Sequence, residues 1–117
     1  MKSPIDYRFC NQTVTVYRNQ PHGVQRRVLH NAYMHLEQGT AHNGMGNVSQ
    51  RKFLLIVPGP QVQVYVGDRV MLGIGPEDVH WGDFLPAAVD GLVEVGRTRH
   101  YRYQGEICHV EAQESWN

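Results

Sequence analysis

The chain has 117 residues, which is enough for one domain with one modest hydrophobic core. Its 11 basic and 11 acidic side chains cancel when the 7 His are neutral, so a general attraction to nucleic acid is not a property of the whole chain. The amino terminus lacks an apolar signal region, and no run reaches the roughly 20 apolar residues of a membrane span, so we expect a soluble, cytosolic protein without membrane contact.

The first part of the chain predicts two strands joined by a turn. Residues 12–17 alternate polar and β-branched side chains, which is the period of a half-buried strand. A turn over 19–23 leads into a long strand over 24–37, with a bulge predicted at His30 and Asn31. A helix over 24–37 is the alternative, because its apolar residues also fit a helix wheel, but no capping residue marks a helix there.

The middle of the chain predicts a long loop followed by an apolar strand. Residues 38–50 are rich in Gly and Asn and almost without apolar content, so they cannot bury enough surface to order themselves. A loop of this length in a small domain suggests a function, although an ordinary long hairpin loop is the alternative. The apolar run over 53–57 is stopped by Pro58 and predicts a central strand buried on both faces.

The last part predicts two short strands and a terminal hairpin. A Gly-Asp turn at 67–68 precedes a strand at 70–73, and strands over 93–95 and 98–103 follow a loop. Gln104 and Gly105 then turn the chain back into a strand over 106–112. We therefore predict an all-β fold: residues 1–117 form a single small, mostly antiparallel β-barrel domain with one extended loop over 38–50 and a C-terminal hairpin.

No catalytic constellation is evident in the sequence. It contains no Gly-x-Ser-x-Gly elbow, no phosphate-binding loop and no zinc-finger spacing. In the predicted hairpin His100 and His109 lie nearly opposite each other, but a third ligand such as His35 or Glu111 is not indicated within reach. Cys10 and Cys108 predict buried, reduced thiols, with a disulfide as the alternative. We expect a protein that is not an enzyme and has no catalytic residue, metal or cofactor.

Two groups of basic and aromatic side chains are candidate contact sites. Alternate residues of a strand share a face, so residues 97–103 place four cations and aromatics together: Arg97, Arg99, Tyr101 and Tyr103. Such interleaving occurs in proteins that stack on single-stranded nucleic acid, although a solvated strand face is the alternative. A second group flanks the long loop and suits contact with acidic residues of a neighbouring subunit: Arg26, Arg27, Arg51 and Lys52.

The order of the predicted elements carries a family resemblance. The sequence has a strand at 13–17, a long strand over 24–37, a Gly-rich loop, an apolar strand ending in Pro58, the segment Gly-Asp-Arg-Val-Met-Leu-Gly over 67–73 and a closing hairpin over 96–111. This order resembles minor capsid or head-tail connector proteins of tailed bacteriophages and covers most of the chain. Such proteins look like head-closure, or stopper, subunits: small β-barrels that form a ring under the portal, with a long loop toward the DNA channel.

The resemblance implies partners and a location. The partners are other copies of this chain in a homo-oligomeric ring, a portal or adaptor protein on the head side and a tail protein on the other side. The location is the virion and, during assembly, the host cytoplasm. The resemblance also implies that residues 38–50 are the channel or assembly loop. Its candidate residues are Gln38, Gly39, His42, Asn43, Gly44, Gly46 and Asn47. No Lys or Arg lies between Gln38 and Gln50, so we expect at most transient contact with phage DNA, and a gasket or a loop that orders on assembly. The alternative is a small barrel that binds single-stranded nucleic acid through 97–103.

Overall fold

The computed structural model describes residues 6–37 and 51–115 as seven β-strands and their connections. The strands are β1 (Gln12–Gln20), β2 (Gly23–Leu36), β3 (Phe53–Pro58), β4 (Arg69–Leu72), β5 (Val93–Glu94), β6 (Arg97–Tyr103) and β7 (Glu106–Gln113). They form one antiparallel sheet in the order β5-β4-β1-β2-β3-β7-β6. The sheet curls into a half-barrel, which confirms the predicted all-β, antiparallel fold and its terminal hairpin.

β2 is long enough to pair with a strand in each half of the sheet. Its first part pairs with β1, and residues 33–36 pair with β3, so the helix alternative for this segment is excluded. Between the pairs Val14–Leu29 and Gln12–Ala32, β2 has one residue more than β1, and Asn31 adopts a φ of 60°. This is the predicted bulge, and because a bulge bends its strand, it lets β2 pass from one wall of the half-barrel to the other.

The middle of β1 is buried on both faces. Val14 and Val16 pack into the main core inside the curl. On the opposite face Tyr17 packs in a second cluster with Phe84, its ring centroid 4.6 Å away, and with Leu92. Both of these partners belong to the connection between β4 and β5, so this connection forms an outer layer over β1 and β4.

β3 differs from its prediction on one face. Phe53, Leu55 and Val57 are buried in the core, whereas Leu54 and Ile56 are half-buried, so burial on both faces is wrong for this strand. The reason is that the outer layer covers β1 and β4 and does not extend to β3. A continuous apolar run identifies the strand but not the presence of a second layer.

The two ends of the sheet, β5 and β6, follow each other in the chain with two residues between them. The Val95 N–H donates to the Asp68 carbonyl (2.8 Å), and the Gly96 N–H donates to the Gln113 carbonyl (2.8 Å). A Cβ on residue 96 would overlap the backbone of Ser115, so this close approach requires glycine. The half-barrel is closed at this point, while the remainder of β6 forms a sheet edge.

Candidate assembly surface

β6 is the edge strand that carries one of the two predicted contact groups. Among the described strands it pairs with β7 alone, so its outer flank presents unpaired backbone N–H and C=O groups. The strand ends in a two-residue turn at Gln104 and Gly105, where φ is 53° and 85°. Two positive φ values are the geometry of a type I′ hairpin turn, and the predicted turn is confirmed.

A bulge in β7 decides which side chains meet across this hairpin. Tyr101 pairs with His109, and Cys108 is an additional residue of β7 without a partner in β6. His100 consequently lies opposite Val110, so the predicted opposition of His100 and His109 is wrong. The alternation in β6 is regular, which is why the sequence of that strand does not reveal the shift.

His109 is the centre of a polar cluster next to β6 and is only 4% exposed. The Tyr101 ring stacks on its imidazole at a centroid distance of 4.6 Å and an angle of 12°. Its Nδ1 lies 2.6 Å from the Tyr7 hydroxyl, and its Nε2 lies 3.1 Å from a Glu111 carboxylate oxygen. Because both ring nitrogens have partners, His109 fixes the amino-terminal segment and Tyr101 on β7 and has no nitrogen left for a metal ion.

The two arginines predicted on the same face have different roles. Arg97 Nε donates to the Glu114 carbonyl (2.9 Å), and a terminal nitrogen lies 3.6 Å from the Glu114 carboxylate, so Arg97 anchors the C-terminal segment. The Arg99 guanidinium lies 5.2 Å from the centroid of the Tyr101 ring and is exposed. Tyr103, near the turn, is 38% exposed. Arg99 and Tyr103 are therefore the members of this group with the most accessible surface.

The arginines of β2 hold loops in place. Arg26 donates to the carbonyls of Gly75 (2.7 Å) and Pro76 (3.1 Å). Arg27 donates to the side-chain oxygen of Gln63 (2.7 Å). Each arginine thus stabilises a different connection, so these two predicted contact residues do not form a common basic patch.

The remaining pair of predicted basic residues lies where β3 begins. The Glu37 N–H donates to the Lys52 carbonyl (2.9 Å), and Arg51 donates to the Glu37 carbonyl (3.5 Å). These bonds join the two ends of the connection between β2 and β3. The candidate residues of that connection lie outside the described residues: Gln38, Gly39, His42, Asn43, Gly44, Gly46 and Asn47.

One feature that the sequence analysis missed is a groove of about 550 Å³. Arg18, Tyr65 and Trp81 line it, and the Arg18 guanidinium lies 4.4 Å from the centroid of the Tyr65 ring. Asp68, which also lines the groove, is 2% exposed and forms an ion pair with Arg18 (2.9 Å). Arg18 and Asp68 are 50 residues apart, so no local pattern signals their contact.

Within residues 6–37 and 51–115, no group of three His, Cys, Asp or Glu side chains could hold a metal ion. Cys10 is buried, Cys108 is half-buried, and both are free thiols. The described residues contain no helix long and apolar enough to cross a membrane.

Comparisons with known proteins identify no relative of this chain. No protein-family model matches it, and no curated protein or solved structure matches it either.

Proposed function

We propose that this chain is a structural subunit of the head-tail connector of a tailed bacteriophage. Copies of the chain form a ring that joins the portal to the tail and helps to close the DNA channel. The protein has no enzymatic role, assembles in the host cytoplasm and resides at the head-tail interface of the virion. The observation that carries this proposal is the length of the connection between β2 and β3.

β2 and β3 are direct neighbours in the sheet, with Leu36 paired to Phe53. Adjacent antiparallel strands need a connection of only about two to five residues, yet residues 37–52 join these two. The ends of the connection are tied together by the bond between Glu37 and Lys52. A long polar segment mounted on a rigid strand pair suits a loop that fills a channel or orders against a partner.

The half-barrel also suits a subunit of a ring. β6 leaves one flank of the sheet unpaired among the described strands, and such an edge is a hazard for a monomer but is covered when a neighbour docks on it. Identical head-to-tail contacts close into a ring when the rotation between subunits permits. A formal net charge of zero removes the long-range repulsion between copies.

The test uses light scattering of the purified chain with and without the portal protein encoded in the same genome. A ring, or a monomer recruited to the portal as a ring, is expected. A variant in which Asn-Gly replaces residues 38–50 should retain the β-sheet circular dichroism spectrum and portal binding but leave filled heads that lose DNA. The proposal is wrong if the chain does not bind the portal and if heads made without the chain still join tails.

A second candidate function is the binding of single-stranded nucleic acid along β6. It is favoured by the exposure of Arg99, Arg102 and Tyr103 on the same edge strand, since cations and aromatic rings together bind the backbone and bases of a single strand. Titration of a labelled oligonucleotide tests it. Binding that is unchanged by alanine at Arg99, Tyr101 and Tyr103 would remove this candidate.

A further inference from the structure

The charges of this chain are segregated, and one acidic surface lies on the outer layer. From residue 70 to residue 96 the chain has no Lys or Arg. Within this stretch the acidic segment, defined as residues 77–90, carries four exposed carboxylates: Glu77, Asp78, Asp83 and Asp90. Among the described residues none of the four forms an ion pair, so their charge is available to a partner.

The acidic segment has an apolar centre and a fixed backbone. Leu85 is 42% exposed, and Ala87 and Ala88 beside it are exposed as well. Buried Phe84 packs this segment against the strands beneath it. A hydrogen bond from the Val89 N–H to the Leu85 carbonyl (3.0 Å) closes a turn within it. An apolar centre with a charged rim is the usual anatomy of a protein interface.

β6 presents the opposite charge. Arg99 and Arg102 are exposed, and within the described residues neither forms an ion pair. Of the two acidic side chains in the hairpin, Glu111 is engaged with His109 and Glu106 lies opposite Tyr103 at the turn. Arginine and tyrosine are the residue types that contribute most to binding at interfaces.

The acidic segment and β6 form different surfaces of the chain, although the two ends of the sheet meet between β5 and β6. The segment covers the outer face of β1 and β4 through the cluster of Tyr17, Phe84 and Leu92. β6 lies at the opposite end of the strand order from β5 and β4. A contact between two distinct surfaces of identical chains is head-to-tail, and it propagates into a ring or a filament.

We infer that β6 of one copy docks on the acidic segment of the next copy, so that Arg99 on one face of the strand and Arg102 on the other contact the carboxylates of Asp83 and Asp90. Tyr103 then lies against the apolar centre at Leu85. This inference rests on the proposed ring and names the two surfaces that form it. Opposite charges on the two surfaces select the head-to-tail arrangement over contacts between like surfaces.

Charge reversal on each surface tests the contact in the full-length chain. One variant is Arg99→Glu/Arg102→Glu, and the other is Asp83→Lys/Asp90→Lys. A matched control, Arg8→Glu/Gln20→Glu/Gln61→Glu, makes the same change of net charge as the first variant at exposed positions outside β6 and the acidic segment. Self-association is measured by sedimentation velocity over a concentration series, alone and with the portal protein, after circular dichroism has verified the fold.

Each charge-reversal variant should self-associate at least about tenfold more weakly than the wild type, because like charges then face each other. The control should associate as the wild type does. An equimolar mixture of the two variants should recover association, since glutamates on one copy then meet lysines on the other. Recovery in the mixture is not expected if the substitutions had simply unfolded the protein.

The failures of the two proposals are distinguishable. If the wild type associates and both variants associate equally well, the inferred contact is wrong while the connector proposal is unaffected. If the β6 variant loses oligonucleotide binding but keeps self-association, β6 is a nucleic-acid surface and the contact is again wrong. A wild-type chain that stays monomeric both alone and with the portal overturns the contact and the connector together.

Discussion

The Arg18 guanidinium binds the buried Asp68 carboxylate through two hydrogen bonds of 2.9 Å each. This pair joins β1 to the turn that precedes β4. The same carboxylate accepts the Tyr65 N–H (2.9 Å), and the Asp68 N–H donates to the Tyr65 carbonyl (3.0 Å). One ionised side chain therefore orders a turn and fixes it against a central strand.

Replacement of Asp68 by alanine should lower the free energy of unfolding by about 3 kcal/mol, because it leaves the partly buried Arg18 and the Tyr65 N–H without their acceptor. Urea denaturation of the wild type and the variant measures the loss. The matched control is Asp6→Asn, which breaks the exposed ion pair with Arg8 and should not change stability. A loss for Asp68→Ala no larger than that of the control would contradict the structural role of the pair.

Thr15 connects β1 to the connection that follows β4. Its hydroxyl donates to the Gly73 carbonyl (2.7 Å) and accepts the Gly75 N–H (2.9 Å), and the residue is 0% exposed. Thr15→Val keeps the shape but leaves both backbone groups unpaired, so we expect a loss of about 2 kcal/mol in urea denaturation. Thr13→Val on the same strand, where the hydroxyl is in an exposed contact with His30, is the control and should be nearly neutral.

Stability should fall at alkaline pH because two buried groups hold their protons. Burial raises the pKa of the Cys10 thiol and of the Tyr17 hydroxyl above their ordinary values of 9.0 and 10.0. The unfolded chain loses these protons at lower pH than the folded chain does. The contribution of the two groups to the free energy of unfolding is therefore complete below about pH 9 and is lost as pH rises through their folded-state pKa values.

Urea denaturation between pH 7 and pH 11 measures this decline. Cys10→Ala should remove the part of the decline that begins near pH 9, and Tyr17→Phe the part that begins near pH 10. Tyr17→Phe also removes the bond to the Pro76 carbonyl (2.7 Å), so its whole profile should lie lower. A wild-type profile that is flat to pH 11 would exclude the predicted linkage.

The hairpin turn between β6 and β7 can be made more stable. Gln104 has a φ of 53°, a conformation that asparagine adopts more readily than glutamine. Gln104→Asn should therefore raise the melting temperature, with a gain of roughly 0.5 kcal/mol, whereas Gly105→Ala should destabilise the turn by about 1 kcal/mol. Thermal unfolding followed by circular dichroism compares the two, and equal effects of both substitutions would argue against a type I′ turn.

The strands of this protein could be predicted because the signals are local. Alternating β-branched residues identify β1, and the turn residues Gln104 and Gly105 fix the terminal hairpin. The bulge at Asn31 was predictable as well, because asparagine tolerates positive φ better than most residues. The candidate contact strand β6 could also be located from the sequence, because its alternating side chains and the turn that ends it are local signals.

The sequence by itself determined which segments are strands, where they turn and which side chains alternate along them, since these properties depend on each residue's own neighbours. The tertiary structure decided the rest: the Cys108 bulge that pairs Tyr101 with His109, and the outer layer that covers β1 but not β3. The same is true of the ion pair between Arg18 and Asp68. Register across strands, a second packing layer and an ion pair between distant residues all depend on which parts of the chain meet in space, and no local pattern encodes that.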